Sequence, residues 1–151
     1  MNAYHMTNAA FVALNTCYEG LSETIPRWTM NKEYPEITKQ TLTYLKELKT
    51  YVPEVLNGSF NLSQAAFKEG SIDKKTKEMI ALALGVANRC DGCIGFHIQT
   101  LVRLGVSRQE LSEILGVAIY MGGGPSLMTA AEALKAFDQF IAIENGGSDS
   151  I

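Results

Sequence analysis

Several features are scarce in this chain of 151 residues, and each scarcity excludes a class of protein. Its three cysteines are a small and odd number, which excludes a framework of structural disulfides. Charged residues make up 19% of the chain against 46% hydrophobic residues, a balance that excludes a disordered protein. The longest apolar run extends from Met79 to Ala87, well short of the roughly 20 residues that a membrane-spanning helix needs. The sequence therefore predicts one globular domain with enough apolar surface for a core.

A surplus of basic residues is also absent. The 13 lysines and arginines are outnumbered by 16 acidic residues, so the net charge is −3. A protein that gathers nucleic-acid phosphates by bulk electrostatics has the opposite balance. The segment Met1–His5 carries neither a basic nor an apolar leader pattern. We therefore expect a cytoplasmic protein without nucleic-acid or membrane partners, in which thiols stay reduced unless they are redox groups.

Helical patterns account for most of the chain. Apolar residues recur at helical spacing, and no useful stretch alternates as a strand does. Helix ends are indicated by an N-cap at Asp73, glycines at Gly70 and Gly105, and a Ser107–Glu110 capping box. These signals predict an all-α fold, a compact bundle of six to seven helices. The predicted helices cover residues 6–18, 35–51, 62–69, 73–87, 90–104, 107–121 and 130–143. We expect a helical extension over 1–34, a helical domain over 35–145 and a flexible tail over 146–151.

The residues that carry chemistry lie in the middle of the chain. Cys90, Cys93 and His97 are three and four positions apart, so one helix would place them on one face. The positive end of a helix favours a thiolate and activates two-cysteine redox motifs. His97 can accept or relay a thiol proton, and Glu78 from the preceding helix can orient it. Glu78, Cys90, Cys93 and His97 are therefore the predicted catalytic residues. No cofactor is predicted.

Other interpretations of the same residues remain open. The two cysteines could be small buried residues, or the four side chains could bind zinc, although three ligands on two turns of one helix fit a tetrahedral ion poorly. Residues 101–111 are similar to a helix-turn-helix, but glutamates in the second helix would repel phosphates and favour a tight corner between helices. Gly92 and Gly95, which flank Cys93, could give access to its sulfur or allow close helix packing. Cys17 is interpreted as structural.

The motif Glu78, Cys90, Cys93 and His97 resembles the signature of the alkylhydroperoxidase D-like branch of the carboxymuconolactone decarboxylase family. The resemblance covers about residues 48–137 and includes the glycine-rich turn before the last predicted helix. It implies an all-helical homo-oligomer, a trimer or hexamer, with active sites near subunit contacts. It also implies that peroxide oxidises Cys93 to a sulfenic acid, and that Cys90 is the proton donor and resolving thiol. Glu78 and His97 are then a proton relay.

The resemblance thus predicts a thiol-dependent peroxidase that takes a small peroxide and a dithiol or protein thiol reductant. One departure is Gly92, which replaces the histidine of the best-known alkylhydroperoxidase D proteins, so their dedicated reducing partners are not assumed. The same groups would also suit a thiol–disulfide oxidoreductase that never meets peroxide. A non-catalytic helical oligomer is the remaining alternative, since a fold does not guarantee an activity.

Overall fold

The computed structural model describes residues 32–146, which form five helices and, over that range, no strand. The all-α prediction is therefore confirmed at the level of fold class. The predicted helix at 6–18, Cys17 and residues 147–151 of the predicted tail lie outside the described residues, and the predicted domain bounds stay predictions. The helices are α1 (Tyr34–Tyr51), α2 (Pro53–Ala66), α3 (Lys74–Ala87), α4 (Asp91–Arg103) and α5 (Arg108–Gly146).

Helix α2 corrects one prediction. The pattern predicted a short helix over 62–69 closed by Gly70, whereas α2 begins at Pro53 and ends at Ala66. Pro53 has two local effects, because its ring is incompatible with continuing α1 but suits the first turn of a new helix. Phe67, and not Gly70, follows the last helical residue as the C-cap.

Helix α5 corrects a second prediction. Separate helices over 107–121 and 130–143 were expected, but residues 108–146 are continuous apart from a kink at Gly123. Gly123 has φ 68° and ψ −157°, a backbone conformation that glycine alone adopts readily. Pro125 then falls in the first turn after the kink, where its missing N–H leaves no hydrogen bond unmade. Over residues 32–146 the chain therefore has five helices instead of the six predicted there.

The predicted helix ends around the site are confirmed. The Asp73 carboxylate accepts a hydrogen bond from the Thr76 backbone at 2.8 Å and caps α3. The Ser107 hydroxyl accepts from the Glu110 N–H at 3.1 Å, and the Ser107 N–H donates back to Glu110 at 2.8 Å. Hydrogen bonds from Lys75 and then from Ser107 lower the pKa of Glu110 to about 2. These caps fix where α3 and α5 begin, on either side of α4.

The core is formed where α3, α4 and α5 pack against one another, with α1 packed on α4 and α5. Several of its largest side chains have no exposed surface, and each buried leucine or isoleucine contributes about 1.5–3 kcal/mol of hydrophobic stabilisation. Because α4 contacts α1, α3 and α5, packing against three helices holds it in place. The fully buried apolar side chains are those of Tyr34, Leu82, Val86, Ile94, Ile98, Leu101, Ala133 and Ala136.

Helix α5 is also long and apolar enough, by length and composition alone, to cross a membrane. Leu111, Phe137 and Phe140 of this helix are nevertheless buried in the core of the domain, and the kink at Gly123 interrupts it. Core helices share these features. Tyr120 and Met121, by contrast, remain 85% and 74% exposed. The domain therefore leaves a sizeable apolar surface uncovered on α5.

Candidate active site

The junction between α3 and α4 brings the first cysteine into place. The N–H of Arg89 donates to the Val86 carbonyl at 3.1 Å, and the N–H of Cys90 donates to the Gly85 carbonyl at 3.0 Å. This pair of hydrogen bonds is the Schellman motif that commonly closes a helix. Arg89 occupies its left-handed position with φ 54°, where glycine is the usual residue. The junction therefore needs only three residues, and Cys90 lies at the N-cap of α4.

The two cysteines share the first turn of α4. The Cys90 sulfur accepts a hydrogen bond from the Cys93 N–H at 3.3 Å. A disulfide joins the two residues, whose Cα atoms are 5.2 Å apart. Both side chains are half-buried, so the pair is not sealed in the core as the packing interpretation required. The backbone N–H groups at a helix start also favour negative charge on a nearby sulfur once the disulfide is reduced.

Glu78 and His97 form the second part of the site. Oε2 of Glu78 lies 2.7 Å from Nδ1 of His97, and Glu78 is 7% exposed. An ionised carboxylate only accepts hydrogen bonds, so Nδ1 carries the hydrogen and Nε2 of a neutral ring is left as the acceptor. His97 lies one helical turn after Cys93 and retains some exposure. The structure thus joins the four predicted residues in two pairs, Cys90 with Cys93 and Glu78 with His97, and one turn of α4 separates Cys93 from His97.

Two further residues shape this site and were not predicted to do so. The Phe67 ring, just after α2, stacks on the His97 ring with 5.9 Å between centroids and 21° between planes. Gly85 of α3 is the other, since a Cβ there would lie 3.2 Å from the Cβ of Cys93. No local pattern marks either residue, because each contact is made between separate segments of the chain and not within one helix. Phe67 restricts the imidazole, and Gly85 gives the Cys93 side chain its room.

The two glycines beside Cys93 have different surroundings. A Cβ at Gly95 would lie 2.5 Å from the methyl group of Thr38, so Gly95 permits close packing of α4 on α1. A Cβ at Gly92 would meet nothing nearer than 3.9 Å, in Thr41. Of the two interpretations offered for these glycines, close helix packing holds for Gly95. Gly92 leaves the side of the helix between the cysteines uncrowded.

This packing predicts a stability difference between two similar substitutions. Gly95→Ala should destabilise the fold by about 1–3 kcal/mol, because the added methyl group overpacks a buried contact. Gly92→Ala, the matched control, should be close to neutral. Urea denaturation followed by circular dichroism measures both. Thr38→Ser removes the clashing methyl group, so Thr38→Ser/Gly95→Ala should recover much of the loss. Equal stability of the two alanine variants would contradict this account.

The alternative interpretations can be compared with the same geometry. Within residues 32–146, no group of three or more histidine, cysteine or acidic side chains is arranged to hold a metal ion. At the corner between α4 and α5, Arg103 pairs with Glu144 at 3.3 Å, and Arg108 pairs with Asp138. These ion pairs tie the corner to the C-terminal half of α5. The segment that is similar to a helix-turn-helix is therefore a corner within the helical domain.

Comparison with known proteins gives the family. The model of the carboxymuconolactone decarboxylase family matches residues 53–136, which include α2, α3, α4 and most of α5. This protein belongs to the carboxymuconolactone decarboxylase family, as the resemblance predicted. An uncharacterised protein of Cupriavidus necator is 40% identical over 86 residues, which cover 57% of this chain and 76% of that relative.

The alkylhydroperoxidase D-like branch is also supported. An alkyl hydroperoxide reductase AhpD of Coxiella burnetii is 32% identical over 63 residues, which span 42% of this chain and 36% of that relative. Among solved structures, the apo form of a family member from Legionella pneumophila has a TM-score of 0.69 at 58% identity. The match covers 71% of this chain and 96% of that one. A Thermotoga maritima family member, for which an antioxidative role has been suggested, has a TM-score of 0.67 at 28% identity, covering 76% and 98%.

Proposed function

We propose that this protein is a thiol-dependent peroxidase that reduces a small hydroperoxide with electrons from a dithiol. The observation that carries the proposal is the Cys90–Cys93 disulfide at the start of α4, one turn from an imidazole held by a buried carboxylate. At the level of the family, the AhpD relatives support an oxidoreductase related to peroxide. The proposed catalytic residues are Cys90, Cys93 and His97, and Glu78 is the residue that positions His97.

The first half of the proposed reaction consumes the peroxide. His97 accepts the thiol proton of Cys93 at Nε2, and the thiolate attacks the terminal oxygen of the hydroperoxide. The O–O bond breaks, Cys93 becomes a sulfenic acid, and the alkoxide leaves with the proton of the Cys90 thiol as an alcohol. The sulfur has then lost two electrons, which the peroxide has gained.

The second half of the reaction resolves the sulfenic acid and restores the enzyme. The Cys90 thiolate attacks the Cys93 sulfur, the S–O bond breaks, and the leaving hydroxide takes the proton from His97 to become water. A dithiol then reduces the Cys90–Cys93 disulfide by two exchange steps. The balance is one hydroperoxide and one dithiol converted to one alcohol, one water and one disulfide. The short spacing of the cysteines favours rapid resolution, which protects Cys93 from irreversible oxidation.

The experiment that tests this proposal is intact-mass analysis of the reduced protein after one equivalent of tert-butyl hydroperoxide. We expect a loss of two hydrogens, about 2 Da, mapped by peptide analysis to Cys90 and Cys93. Cys90→Ser should stop at a sulfenic acid on Cys93, detected as one added oxygen and by dimedone labelling. An unchanged mass, or oxidation confined to Cys17, would overturn the proposal. Exchange with a small disulfide, but no reaction with peroxide, would identify a thiol–disulfide oxidoreductase instead.

We also propose that the protein works as a homo-oligomer, a trimer or a hexamer. The support is the apolar surface left on two helices that pack together, with Leu84 of α3 59% exposed and Tyr120 and Met121 of α5 more so. Large apolar side chains left exposed on packed helices often mark a contact with another protein chain. Light scattering coupled to size-exclusion chromatography measures the mass, and a monomer at micromolar concentration would contradict this assembly.

A further inference from the structure

A lysine before α1 reaches the motif residue between the two cysteines. Nζ of Lys32 lies 2.8 Å from Oδ1 of Asp91, the first residue of α4, and 2.7 Å from Oε2 of Glu132 on α5. The three side chains are only 29–37% exposed. Partial burial strengthens such pairs relative to those on an open surface. We call Lys32, Asp91 and Glu132 the lysine bridge.

The lysine bridge is held in place by further contacts. Gln139 of α5 accepts a hydrogen bond from the Tyr34 N–H at 2.9 Å and donates to the Lys32 carbonyl at 3.1 Å. The Tyr34 hydroxyl donates to Oδ1 of Asp91 at 3.4 Å. Burial, then the charges of Asp91 and Glu132, raises the pKa of Tyr34, so its hydroxyl stays protonated. The backbone around Lys32 is thus held by Gln139 of α5, while the ammonium is held by Asp91 and Glu132.

The charge of Asp91 bears directly on the neighbouring thiols. Asp91 follows Cys90 in the first turn of α4, so its carboxylate belongs to the same helix start as the two sulfurs. A like charge near a thiol opposes its ionisation. The positive end of the helix acts in the opposite sense. The ammonium of Lys32 offsets the carboxylate. Although partial burial alone would lower the pKa of Lys32, its hydrogen bonds to Asp91 and Glu132 raise it, so the lysine stays charged at neutral pH.

We propose that Lys32 is a positioning residue of the redox site, which pairs with Asp91 and so preserves the ability of the start of α4 to stabilise the Cys93 thiolate. The role of Lys32 in catalysis rests on the proposed function, whereas its electrostatic effect on the thiols does not depend on that function. Glu132 also pairs with the Lys32 ammonium, and this second pairing limits how far Lys32 offsets the negative charge of Asp91. Among residues 32–146, the charged and titratable groups around this helix start are Arg89 and Asp91 of the helix start itself, Lys32 and Tyr34 from the α1 side, Glu132 from α5, Glu78 from α3 through His97, and the two thiols.

The test measures the thiolates without using peroxide. Reduced protein carrying Cys17→Ser is alkylated with iodoacetamide across pH, and peptide mapping gives the rate and the apparent pKa at Cys93. Lys32→Met should raise that pKa and slow alkylation at pH 7 about three- to tenfold, because one pKa unit is a tenfold change in thiolate. Asp91→Asn should lower the pKa, and Lys32→Met/Asp91→Asn should return it toward the starting value. Lys39→Met, which removes an exposed lysine of α1, is the matched control and should change nothing.

The direction in which the Cys93 pKa shifts in the two variants distinguishes this role from a merely structural one. Loss of packing would lower the melting temperature of Lys32→Met and Asp91→Asn alike but would not move the Cys93 pKa in opposite directions. Shifts of the same sign, or no shift in either variant, would overturn the inference. If Lys32→Met fails to fold, Asp91→Asn and Lys32→Arg still decide, since the first should lower the pKa and the second should preserve it. A protein that reduces no peroxide but shows these shifts would refute only the proposed function.

Discussion

Replacing Cys93 with serine is expected to reduce peroxide turnover by about 10³-fold or more, because the reaction loses its nucleophile. A serine hydroxyl at the start of α4 keeps the size of the side chain but is not ionised by a helix dipole near pH 7. Turnover is measured as consumption of tert-butyl hydroperoxide with dithiothreitol as the electron donor. The fold should be unaffected, since Cys93 is half-buried and its backbone is held in the first turn of the helix.

The three cysteines provide the controls for this experiment. Cys17→Ser makes the same chemical change outside the described residues and should leave turnover unchanged. Cys90→Ser should also abolish turnover, but it should still consume one equivalent of peroxide per chain, more slowly, because water can supply the proton that Cys90 provides whereas nothing replaces it in resolution. Retained turnover in Cys93→Ser, or a stoichiometric burst in Cys93→Ser and none in Cys90→Ser, would refute the assigned roles.

Replacing Glu78 with glutamine is expected to reduce turnover at pH 7 by about 10²–10⁴-fold, the usual contribution of positioned proton transfer. Oε2 of Glu78 lies 2.7 Å from Nδ1 of His97, and in the proposed relay the carboxylate keeps the ring hydrogen on Nδ1 so that Nε2 can take the thiol proton. A glutamine amide has nearly the same shape, but it carries no charge to stabilise the imidazolium and can present an N–H to the ring. The Nδ1–H tautomer is then no longer enforced at His97.

The pH profile separates this role from a structural one. A thiol ionises unaided above its ordinary pKa of about 8.5, so the deficit of Glu78→Gln should shrink markedly between pH 7 and pH 9. A variant that was merely misfolded would not recover. Glu113→Gln, which changes an exposed carboxylate that accepts a hydrogen bond from Gln109 on the same helix, is the matched control. A pH-independent deficit, or none, would contradict the proposed relay.

Local signals explain how much of the fold could be predicted. Helices α1, α3 and α4 begin and end close to their predicted bounds because Pro53, Asp73 and Gly105 act on their immediate neighbours. The start of α2 was missed because its first half has no apolar stripe that faces the core, and only Leu56 of this helix is buried. The continuity of α5 was missed because a glycine run predicts a break, whereas only Gly123 leaves the helical conformation.

The residues of the candidate site also fall into two groups, those that local sequence signals could predict and those that they could not. The cysteines and His97 could be placed together because one helix relates them, and Glu78 could be added as a carboxylate leading an apolar stretch. Lys32 and Phe67 could not be found, because their partners are set by helix packing. Lys32 is 59 positions from Asp91, and no periodicity links residues at that distance. Spacing along one helix thus predicts which of its residues share a face. It does not predict which side chains from other segments contact that face.

The short distance between Cys90 and Cys93 affects any molecule that must distinguish the reduced form of the protein from its disulfide form. Their Cα atoms, 5.2 Å apart, stand at the ordinary separation of residues one helical turn apart, so closing or opening the bond requires no refolding of α4. The backbone outline should therefore be nearly identical in both states. A reductant that docks at this site would meet nearly the same backbone shape in the reduced and the disulfide forms. It can therefore distinguish the two forms only by reacting with the sulfur atoms.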